Sequence, residues 1–517
     1  MLPHAGAAGD VIASGIREAA ALPRIVGALE MRGTPAGEWA RVQYDSRAVE
    51  AGDLFVAIPG EKADGHAFVP EAARRGAIAA VVERFTPEAA WPEVRVKSAR
   101  RALAILAGEE TDHPSHDLLV VGVTGTNGKT TTTHLIRAAL RERGERAGLI
   151  GTVGYELDEA RVDAPHTTPE APELARLFRS WRDQGATAVV MEVSSHALAQ
   201  DRTYGIAFDV GVFTNLTQDH LDFHGTMEAY RDAKMRLFRA ETRGDRTKTM
   251  TGAINMDDEA GRWIRGHADG PTIGYGQEGA PRRGGEGAGA AEVVADETRL
   301  GPAGTRLRIR YPRGSVSVAL KLRGRFNVSN ALAAFAAAYA AGTPPEAIAR
   351  GLEAVAAVPG RLEPVDAGQP FQVLVDYAHT PDALERALEA VRAFGPHRIL
   401  CVFGAGGDRD RGKRPLMGAV AARLADEVFI TSDNPRSEDP ASIVRAIETG
   451  AVGTAGVRTI VDRAEAIRAA IDAAVPGDAV LIAGKGHETY QILATGTISF
   501  DDRRVARDAL EARGFSG

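Results

Sequence analysis

The chain has 517 residues, of which 44% are hydrophobic and 25% are charged, and its formal net charge at pH 7 is −7. This length exceeds what one hydrophobic core usually serves and predicts about three domains, while the acidic balance argues against a nucleic-acid-binding protein. No run reaches the roughly 18 apolar residues of a membrane span, and the first residues lack an export signal. The single cysteine, Cys401, excludes an intramolecular disulfide. We therefore expect a cytoplasmic enzyme without a membrane partner.

The first predicted unit is a small α/β domain over about residues 40–110. It contains a predicted strand at Asp53–Ile58, a helix at Val69–Gly76 and a strand at Ile78–Glu83. We place the end of this unit at residue 113.

The second unit opens with a hydrophobic strand that runs through a glycine-bearing turn into a helix. Residues 120–133 read Val-Val-Gly-Val-Thr-Gly-Thr-Asn-Gly-Lys-Thr-Thr-Thr-Thr. Such a turn closes backbone N–H groups around a phosphate, its lysine supplies positive charge and its hydroxyl can ligate Mg²⁺. The strict phosphate-loop pattern would need a glycine at Val123, so a turn that binds no ligand is the alternative. These roles fall on Gly125, Gly128, Lys129 and Thr130, and the helix is indicated by Leu135, Ile136, Ala139, Leu140 and the terminal Gly144.

Polar residues follow two further predicted strands of this unit. Glu192 ends the strand Ala188–Val193, where a carboxylate can hold the Mg²⁺ of a bound nucleotide, although a lone glutamate there is commonly a solvated strand end. The strand Phe208–Thr214 precedes a loop that predicts a metal or phosphate rim or, alternatively, a hydrogen-bonded turn; its polar residues are Asp219, His220, Asp222 and His224. The next helix, Met227–Arg239, carries Lys234, which by itself is a surface lysine.

Segments rich in glycine, alanine and proline indicate where the second unit ends. The segment 276–291 is rich in glycine and predicts a surface loop. An alanine-rich helix at Ser329–Ala341 is followed by proline and glycine residues that favour a domain boundary near residue 357.

The third unit alternates strands and helices. This alternation predicts a parallel, doubly wound sheet, in which ligands bind beyond the carboxyl ends of the strands. The predicted strands are Ile399–Phe403, Val428–Ser432, Thr459–Val461 and Ala479–Ala483, and the predicted helices are Pro415–Asp426, Asp439–Thr449 and Ala464–Ala474. Three polar loops follow these strands and should share one rim: Gly404–Arg411, Asp433–Arg436 and Gly484–Glu488.

In this order the motifs resemble the Mur ligase family of ATP-dependent amide-bond-forming enzymes over nearly the whole chain. The turn Thr-Gly-Thr-Asn-Gly-Lys-Thr-Thr is the family's own phosphate loop, which explains the departure at Val123. Further segments resemble the member that adds meso-diaminopimelate to UDP-N-acetylmuramoyl-L-alanyl-D-glutamate: Asp45–Arg47, Gly52–Ala57, Thr167–Pro169, Met191–His196 and Asp376–Pro381. The resemblance implies an N-terminal α/β domain for the UDP end (1–113), a central P-loop ATPase with a parallel sheet (114–357) and a C-terminal Rossmann-like domain for the amino acid (358–517).

The resemblance also implies the site residues. ATP would contact Gly125, Thr126, Asn127, Gly128, Lys129, Thr130, Thr131, Asn327, Arg361 and Asp376. The uridine nucleotide of the UDP-muramoyl-dipeptide would contact Tyr44, Ser46, Glu61, Lys62 and Ala63. Its muramoyl-dipeptide would contact Thr167, Thr168, Ser194, Gln200 and Arg202. Diaminopimelate would contact Arg409, Asp433, Asn434, Pro435, Arg436, Gly484 and Glu488. Catalysis would involve Lys129, Glu192, His220 and Lys234, and Mg²⁺ would be held by Thr130, Glu192, His220 and Lys234, with Lys234 as a carbamate.

The implied reaction passes through an acyl phosphate on a cytoplasmic, monomeric enzyme whose partners are small molecules. Arg436 can pair with the distal carboxylate of diaminopimelate, and Glu488 with Asn434 can take its ammonium. Other members that add lysine or a dipeptide, and folylpolyglutamate synthases, are alternatives against which the segment Asp433–Arg436 argues. A GTPase-type switch is a further alternative, but the sequence has no Asn-Lys-x-Asp motif for guanine.

Overall fold

The computed structural model describes residues 17–60, 63–87, 91–277, 291–301, 304–453 and 455–516. Within these ranges the chain forms three large sheets of five, eleven and six strands, in that order along the sequence. The predicted α/β class is confirmed. The predicted domain bounds stay a prediction, and residues 278–290 of the predicted glycine-rich loop lie outside the described ranges.

The N-terminal unit is built on short strands. Its elements are β1 Arg17–Glu18, α1 Leu22–Ile25, β2 Glu30–Arg32, β3 Glu38–Trp39, β4 Val42–Gln43, β5 Leu54–Val56, α2 Val69–Arg74, β6 Ala79–Val82, β7 Glu93–Arg95 and α3 Ala99–Thr111. Strands β4 to β7 are parallel, β2 pairs antiparallel with β7, and β1 pairs with β3. The side chains of Trp39, Leu54, Val81 and Leu103 lie in one core, which joins α3 to the sheet.

The central unit carries the longest sheet. Its strands are β8 Leu119–Thr124, β9 Ala147–Ile150, β10 Tyr155–Leu157, β11 Ala160–Val162, β12 Ala188–Glu192, β13 Val210–Phe213, β14 Thr251–Asn255, β15 Thr272–Gln277, β16 Val293–Gly301, β17 Gly304–Tyr311 and β18 Gly314–Leu320. Its helices are α4 Lys129–Glu142, α5 Ala171–Asp183, α6 Ser195–Ala199, α7 Leu221–His224, α8 Met227–Met235, α9 Ala240–Arg243, α10 Glu259–His267, α11 Phe326–Ala340 and α12 Pro345–Ala354.

The central sheet is parallel only in its middle. Its order is β11-β10-β9-β12-β8-β13-β14-β15-β16-β17-β18, and the seven strands from β9 to β16 in that order are parallel. Strands β10 and β11 at one edge, and β17 and β18 at the other, are antiparallel additions that the sequence analysis did not predict. Antiparallel neighbours need only a short turn, whereas parallel neighbours need a crossover, and the three strands β16 to β18 are joined by such short connections.

The helix after the phosphate turn forms as predicted. Its predicted apolar stripe is buried, and Gly144 follows its end with φ +96°, a conformation that favours glycine. The helix predicted at Met227–Arg239 instead ends as α8 at Met235 and continues as a 3₁₀ turn at Arg236–Phe238.

The C-terminal unit is a doubly wound sheet, as predicted. Its elements are β19 Glu363–Pro364, β20 Gln372–Asp376, α13 Pro381–Arg392, β21 Ile399–Phe403, α14 Lys413–Leu424, β22 Glu427–Ile430, α15 Pro440–Glu448, β23 Gly456–Thr459, α16 Arg463–Ala473, β24 Ala479–Ala483, β25 Tyr490–Leu493, β26 Gly496–Ser499 and α17 Asp502–Ala512. The order is β19-β20-β24-β21-β22-β23, with all neighbours from β20 onward parallel. Helices α13 to α15 cover one face of this sheet, and α16 and α17 cover the other.

The described residues contain no helix that combines the length and the apolar character needed to cross a bilayer.

Candidate active site

The phosphate turn requires glycine at two positions. Gly125 has φ +147° and Gly128 has φ +86°. A Cβ atom on Gly125 would overlap Oγ1 of Thr214, and one on Gly128 would overlap Oδ1 of Asn330. The turn is therefore closed against side chains on both sides, and its backbone N–H groups lead into the N-terminus of α4, where a phosphate is stabilised.

Lys129 is folded back over this turn. Its Nζ donates to the carbonyl oxygens of Gly125, at 3.0 Å, and Thr126, at 2.8 Å. Burial lowers the pKa of the Lys129 ammonium, and the negative charge of Glu192 opposes that shift. Lys129 is thus held at the turn by neutral acceptors that an incoming phosphate can replace.

Asn215, which follows β13, fixes the turn from the neighbouring strand. Its carbonyl oxygen accepts from N–H of Thr126 and its Oδ1 accepts from N–H of Asn127, both at 2.9 Å. The sequence analysis did not select Asn215, although its place directly after a predicted strand was a usable indication.

Two residues of the C-terminal unit reach the same turn. Nη2 of Arg361 donates to Oγ1 of Thr130 at 3.0 Å. Oδ2 of Asp382 accepts from Nδ2 of Asn127 at 2.9 Å and from Oγ1 of Thr217 at 3.2 Å. Asp382 was not predicted, because a helical residue 255 positions from Asn127 gives no local indication of this contact.

A cleft of about 660 Å³ lies between the central and C-terminal units. It gathers most of the residues predicted for ATP and for the muramoyl-dipeptide. Those that line it are Thr126, Asn127, Gly128, Lys129, Thr130, Thr131, Thr167, Thr168, Ser194, Gln200, Arg202, Arg361 and Asp376, and it is also lined by Glu192 and His220, which were predicted for Mg²⁺.

Asp376 and Asn327 are placed differently with respect to this cleft. Asp376 lines it, and its carboxylate accepts from N–H of Leu362 and Ala378 at 2.7 and 2.8 Å; burial raises its pKa. Asn327 does not line it, since its amide bonds the carbonyl of Arg323 and the amide of Asn330. From the same helix, Phe326, Ser329 and Asn330 line the cleft.

Glu192 ends β12 with its carboxylate held in place by Thr152. Oε1 accepts from N–H of Thr152 at 2.9 Å, and Oε2 accepts from the Thr152 hydroxyl at 3.2 Å. The described residues contain no group of three or more His, Cys, Asp or Glu side chains that would hold a metal ion by themselves. Mg²⁺ commonly takes few protein ligands and fills its shell with water and phosphate oxygens, so one carboxylate and the Thr130 hydroxyl beside the phosphate turn fit that ion as a partner of a bound triphosphate.

Three histidines, His196, His220 and His224, form a cluster, and two of them, His196 and His220, line the cleft. The rings of His196 and His220 have centroids 4.8 Å apart, and Nε2 of His224 lies 2.9 Å from Oγ of Ser195. Burial lowers the pKa of His220 to about 4 and that of His224 to about 4. Both imidazoles are therefore neutral near pH 7, with a lone pair available to a cation.

Lys234 is a buried residue, and its interpretation as a surface lysine is wrong. The residue is 1% exposed, because α8 turns this side chain inward beside Tyr230, and Nζ lies 4.2 Å from the centroid of the Tyr230 ring. In the described ranges its Nζ makes no hydrogen bond and no ion pair. Burial, with repulsion from Lys129, holds the pKa of this amine well below its usual range. The lowered pKa favours the uncharged amine, which is the nucleophilic form.

The residues predicted for the muramoyl-dipeptide form one hydrogen-bonded group beside Glu192. The Thr168 hydroxyl donates to the carbonyl of Glu192 at 2.9 Å and accepts from N–H of Ser194 at 3.1 Å. Arg202 donates to the carbonyl of Thr168 at 3.0 Å and to Oε1 of Gln200 at 2.8 Å. The hydroxyls of Thr167 and Thr152 lie 3.1 Å apart.

The residues predicted for the UDP end lie away from the cleft. The Tyr44 hydroxyl donates to Oε1 of Glu173 at 3.1 Å, and the Ser46 hydroxyl donates to Oε2 of Glu71 at 3.0 Å. Ala63 is described, and its carbonyl accepts from N–H of Gly60. Glu61 and Lys62 lie outside the described residues.

The three loops predicted to share a rim in the C-terminal unit are in contact. N–H of Gly407 donates to the carbonyl of Asn434 at 2.9 Å, and Nη1 of Arg436 donates to the carbonyl of Gly407 at 2.8 Å. Nδ2 of Asn434 donates to Oε2 of Glu488 at 2.9 Å. Arg409 is exposed at the edge, where its guanidinium bonds the carbonyl of Asp408.

Lys485, which the sequence analysis did not select, is a buried residue that joins two residues of this rim. Its buried Nζ donates to Oδ1 of Asn434 at 3.1 Å and to Oε2 of Glu488 at 2.9 Å. Oδ1 of Asn434 also accepts from N–H of Ile492 at 3.0 Å. Both partners of Oδ1 can only donate, which fixes the orientation of the amide and leaves that oxygen with two internal donors. By contrast, the carboxylate of the adjacent Asp433 forms no hydrogen bond within the described ranges.

Three successive parts of the chain match models of Mur ligase domains. Residues 39–111 match the model described as Mur ligase family, catalytic domain, residues 123–338 match the Mur ligase middle domain, and residues 360–486 match the Mur ligase, glutamate ligase domain.

Individual proteins match over most of their length. The UDP-N-acetylmuramoyl-L-alanyl-D-glutamate--2,6-diaminopimelate ligase of Geobacillus thermodenitrificans is 48% identical over 474 residues, which cover 91% of this chain and 95% of that protein. The protein of the same name from Streptomyces coelicolor is 43% identical over 480 residues, which cover 91% and 92%. A solved structure of a ligase of that name is 32% identical, with a TM-score of 0.68 and coverage of 95% and 99%. A folylpolyglutamate synthase of Mycobacterium tuberculosis, solved with ADP, has a TM-score of 0.59 at 19% identity over 74% of this chain and 91% of its own, and shares the fold.

Proposed function

The chain belongs to the Mur ligase family of ATP-dependent ligases, and we propose that it joins meso-diaminopimelate to UDP-N-acetylmuramoyl-L-alanyl-D-glutamate in peptidoglycan precursor synthesis. The relatives named above support the choice of substrates. The observation that carries the proposal is the contact between Arg361 and Thr130 inside a cleft that also holds the muramoyl-dipeptide residues. An acid and a triphosphate bound there would meet at the phosphate turn.

In the first step an oxygen of the D-glutamate γ-carboxylate attacks the γ-phosphorus of ATP. A new O–P bond forms, the bond to the β-phosphate oxygen breaks, and ADP leaves with the bonding pair. Lys129, Arg361 and the N–H groups of the turn stabilise the negative charge on the phosphate oxygens, which is the main contribution of proteins to phosphoryl transfer. Mg²⁺, held by Thr130, Glu192 and His220, would neutralise part of the same charge.

In the second step the neutral amine of the amino acid attacks the acyl carbon. The tetrahedral intermediate expels inorganic phosphate, and the amine nitrogen loses a proton to complete the amide. This route needs no protein nucleophile. It does need water to be kept from the acyl phosphate, and the position of the cleft between two units, joined at Asp382 and Arg361, supports such exclusion.

We further propose that Lys234 acts as a carbamate. Its neutral amine would form an N–C bond to carbon dioxide and release one proton, which converts an uncharged side chain into an anion next to His220. The buried and unpaired Nζ, and its lowered pKa, support this modification because an uncharged amine is the reactive form.

The amino acid would bind at the rim formed by Arg409, Asp433, Asn434, Pro435, Arg436, Gly484 and Glu488. Arg436 would pair with its distal carboxylate. Since Oδ1 of Asn434 is occupied by Lys485 and Ile492, the acceptors for the distal ammonium would be the carboxylates of Glu488 and Asp433. We propose that the enzyme acts as a monomer in the cytoplasm.

The test is an assay of phosphate release from ATP in the presence of each substrate alone and both together. The proposal requires release that depends on the UDP-linked dipeptide and on an amino acid, with meso-diaminopimelate preferred over LL-diaminopimelate and L-lysine. ATP hydrolysis that is the same without either compound would refute it.

A further inference from the structure

Arg463 is a fully buried arginine at the first position of α16. Its side chain is 0% exposed. Nε and Nη2 donate to Oδ1 and Oδ2 of Asp502, at 2.7 and 2.6 Å, in a two-pronged ion pair with the first residue of α17. The pair fixes the plane of the guanidinium.

The guanidinium also bonds the ends of two strands. Nη1 donates to the carbonyl oxygen of Ser432 at 3.2 Å, and Nη2 donates to that of Ala483 at 3.0 Å. Ser432 directly precedes the loop Asp433–Arg436, and Ala483 directly precedes the loop Gly484–Glu488. The Arg463 side chain therefore contacts the residue that directly precedes each of the two loops.

The residues that precede these two loops are not connected to each other by hydrogen bonds of the sheet. The strand order places β21 between β22 and β24, so no ladder hydrogen bond joins the strand before Asp433 to the strand before Gly484. The loops are nevertheless close, because a Cβ on Gly484 would lie 2.5 Å from Oδ2 of Asp433 and 3.8 Å from Nη2 of Arg463. The guanidinium is thus a bridge across an intervening strand, at the end of the sheet where the loops emerge.

Stability alone does not account for this arrangement. Removing a charged pair from water is costly, and replacing such pairs by apolar side chains of similar volume is often neutral or stabilising. A planar group with five donors in a fixed geometry can instead hold two carbonyl groups at a set separation.

We propose that Arg463 is a positioning residue for amino-acid selection: it sets the separation of the loops Asp433–Arg436 and Gly484–Glu488, and with it the separation of the Arg436 and Glu488 side chains. The identity of the amino acid rests on the proposed function, but the positioning role does not. It applies to whichever amino acid the rim accepts.

Arg398 provides a matched control at the opposite end of the same sheet. Where Arg463 pairs with one carboxylate, Arg398 pairs with two, those of Asp478 and Glu427, and it donates to the carbonyl of Ala473 at 3.0 Å. Asp478 and Glu427 lie at the amino ends of β24 and β22, so Arg398 spans the same two strands away from the rim.

The experiment compares Arg463→Lys with Arg398→Lys in the full-length enzyme. We measure KM separately for the amino acid, for ATP and for the UDP-linked dipeptide, and the ratio of kcat/KM for meso-diaminopimelate over L-lysine. Arg463→Lys should raise the amino-acid KM at least tenfold and lower that ratio, with the other two KM values changed less than twofold. Arg398→Lys should leave all three KM values within twofold, even if it lowers the melting temperature.

The assays are run below the melting temperature of each variant. Should Arg463→Lys not fold, Asp502→Asn is used, since it keeps the arginine but loosens its orientation, and it should raise the amino-acid KM at least threefold. An unchanged amino-acid KM in the folded variant, or an equal rise in all three KM values, overturns the positioning role. Absence of amino-acid-dependent turnover in the wild type would instead refute the proposed function.

Discussion

Nη2 of Arg361, at the start of the C-terminal unit, lies 3.0 Å from Oγ1 of Thr130 in the phosphate turn of the central unit. The contact places a permanent positive charge from one unit at the helix N-terminus of another. The hydroxyl accepts this bond and keeps a second lone pair, so Thr130 can contact the arginine and a cation together. The two units are thereby joined at the point where phosphoryl transfer is proposed.

Arg361→Ala should therefore impair the chemical step. We expect kcat to fall by about 10²–10³-fold, the range seen when one donor to a transition-state oxyanion is removed. The measurement is steady-state ADP formation with all substrates saturating. Arg423→Ala is the control, since Arg423 is an exposed arginine of the same unit that pairs with Glu385, and a comparable loss in that variant would contradict the prediction.

Lys234→Ala should abolish most activity, and a short carboxylate such as acetate should restore part of it. The reason is that the proposed carbamate supplies an anion in a buried space that the alanine variant leaves free. Lys321→Ala, at an exposed lysine, should behave as the wild type. Intact-protein mass spectrometry of active enzyme, under conditions that preserve carbamates, should show the added mass of one carbon dioxide; no rescue together with an unmodified mass would exclude the carbamate.

Arg436→Ala should raise the KM for diaminopimelate far more than the KM for ATP. Loss of a charge-assisted bond to the distal carboxylate costs about 1–3 kcal/mol, which is roughly a 5- to 150-fold change. Arg411→Ala is the matched variant, because Arg411 lies on the same rim with its side chain 75% exposed and paired with Glu438. Equal increases in both KM values for Arg436→Ala would contradict the assignment.

His134 predicts a pH dependence of stability. Burial lowers its pKa from 6.5 to about 3, and its Nε2 has no hydrogen-bond partner. The unfolded chain binds a proton at this residue below pH 6.5 and the folded chain does not, so stability is lost as the pH falls from 6.5 toward 3. Between pH 7 and pH 5 the wild type should lose about 2 kcal/mol more than His134→Leu.

Urea denaturation of both proteins at the two pH values measures this difference. The remaining histidines are common to both chains, so their contributions cancel. Parallel loss of stability in the two proteins would show that His134 is protonated in the folded state.

Local patterns predicted the parts of the fold in which neighbouring residues determine the structure. The phosphate turn and α4 follow from their own residues, because two glycines and an apolar stripe suffice. The parallel sheet of the C-terminal unit follows from its alternation of strands and helices. The antiparallel strands β17 and β18 were missed, although Leu307 and Ile309 alternate with arginines along β17 as expected of a half-buried strand.

Contacts between residues far apart in the sequence could not be predicted from such local patterns. Asp382 reaches Asn127 across 255 residues, and Arg463 contacts Ser432 and Ala483 from a helix that lies between them in sequence. The burial of Lys234 depends on how α8 packs, and its position in the helix gave no indication of it. Whether the predicted residues bind the proposed substrates stays a prediction that the variants above test.

The pairing of Lys485 with Glu488 has a consequence for inhibitor design. A positively charged group that enters the rim meets two carboxylates, and the charge of Glu488 is already partly compensated by Lys485, so Asp433 should provide most of the attraction for a cation. An anionic group directed at Arg436 meets no such compensation. Analogues that keep the distal acid and replace the distal amine by a neutral hydrogen-bond donor should therefore lose mainly the attraction of Asp433.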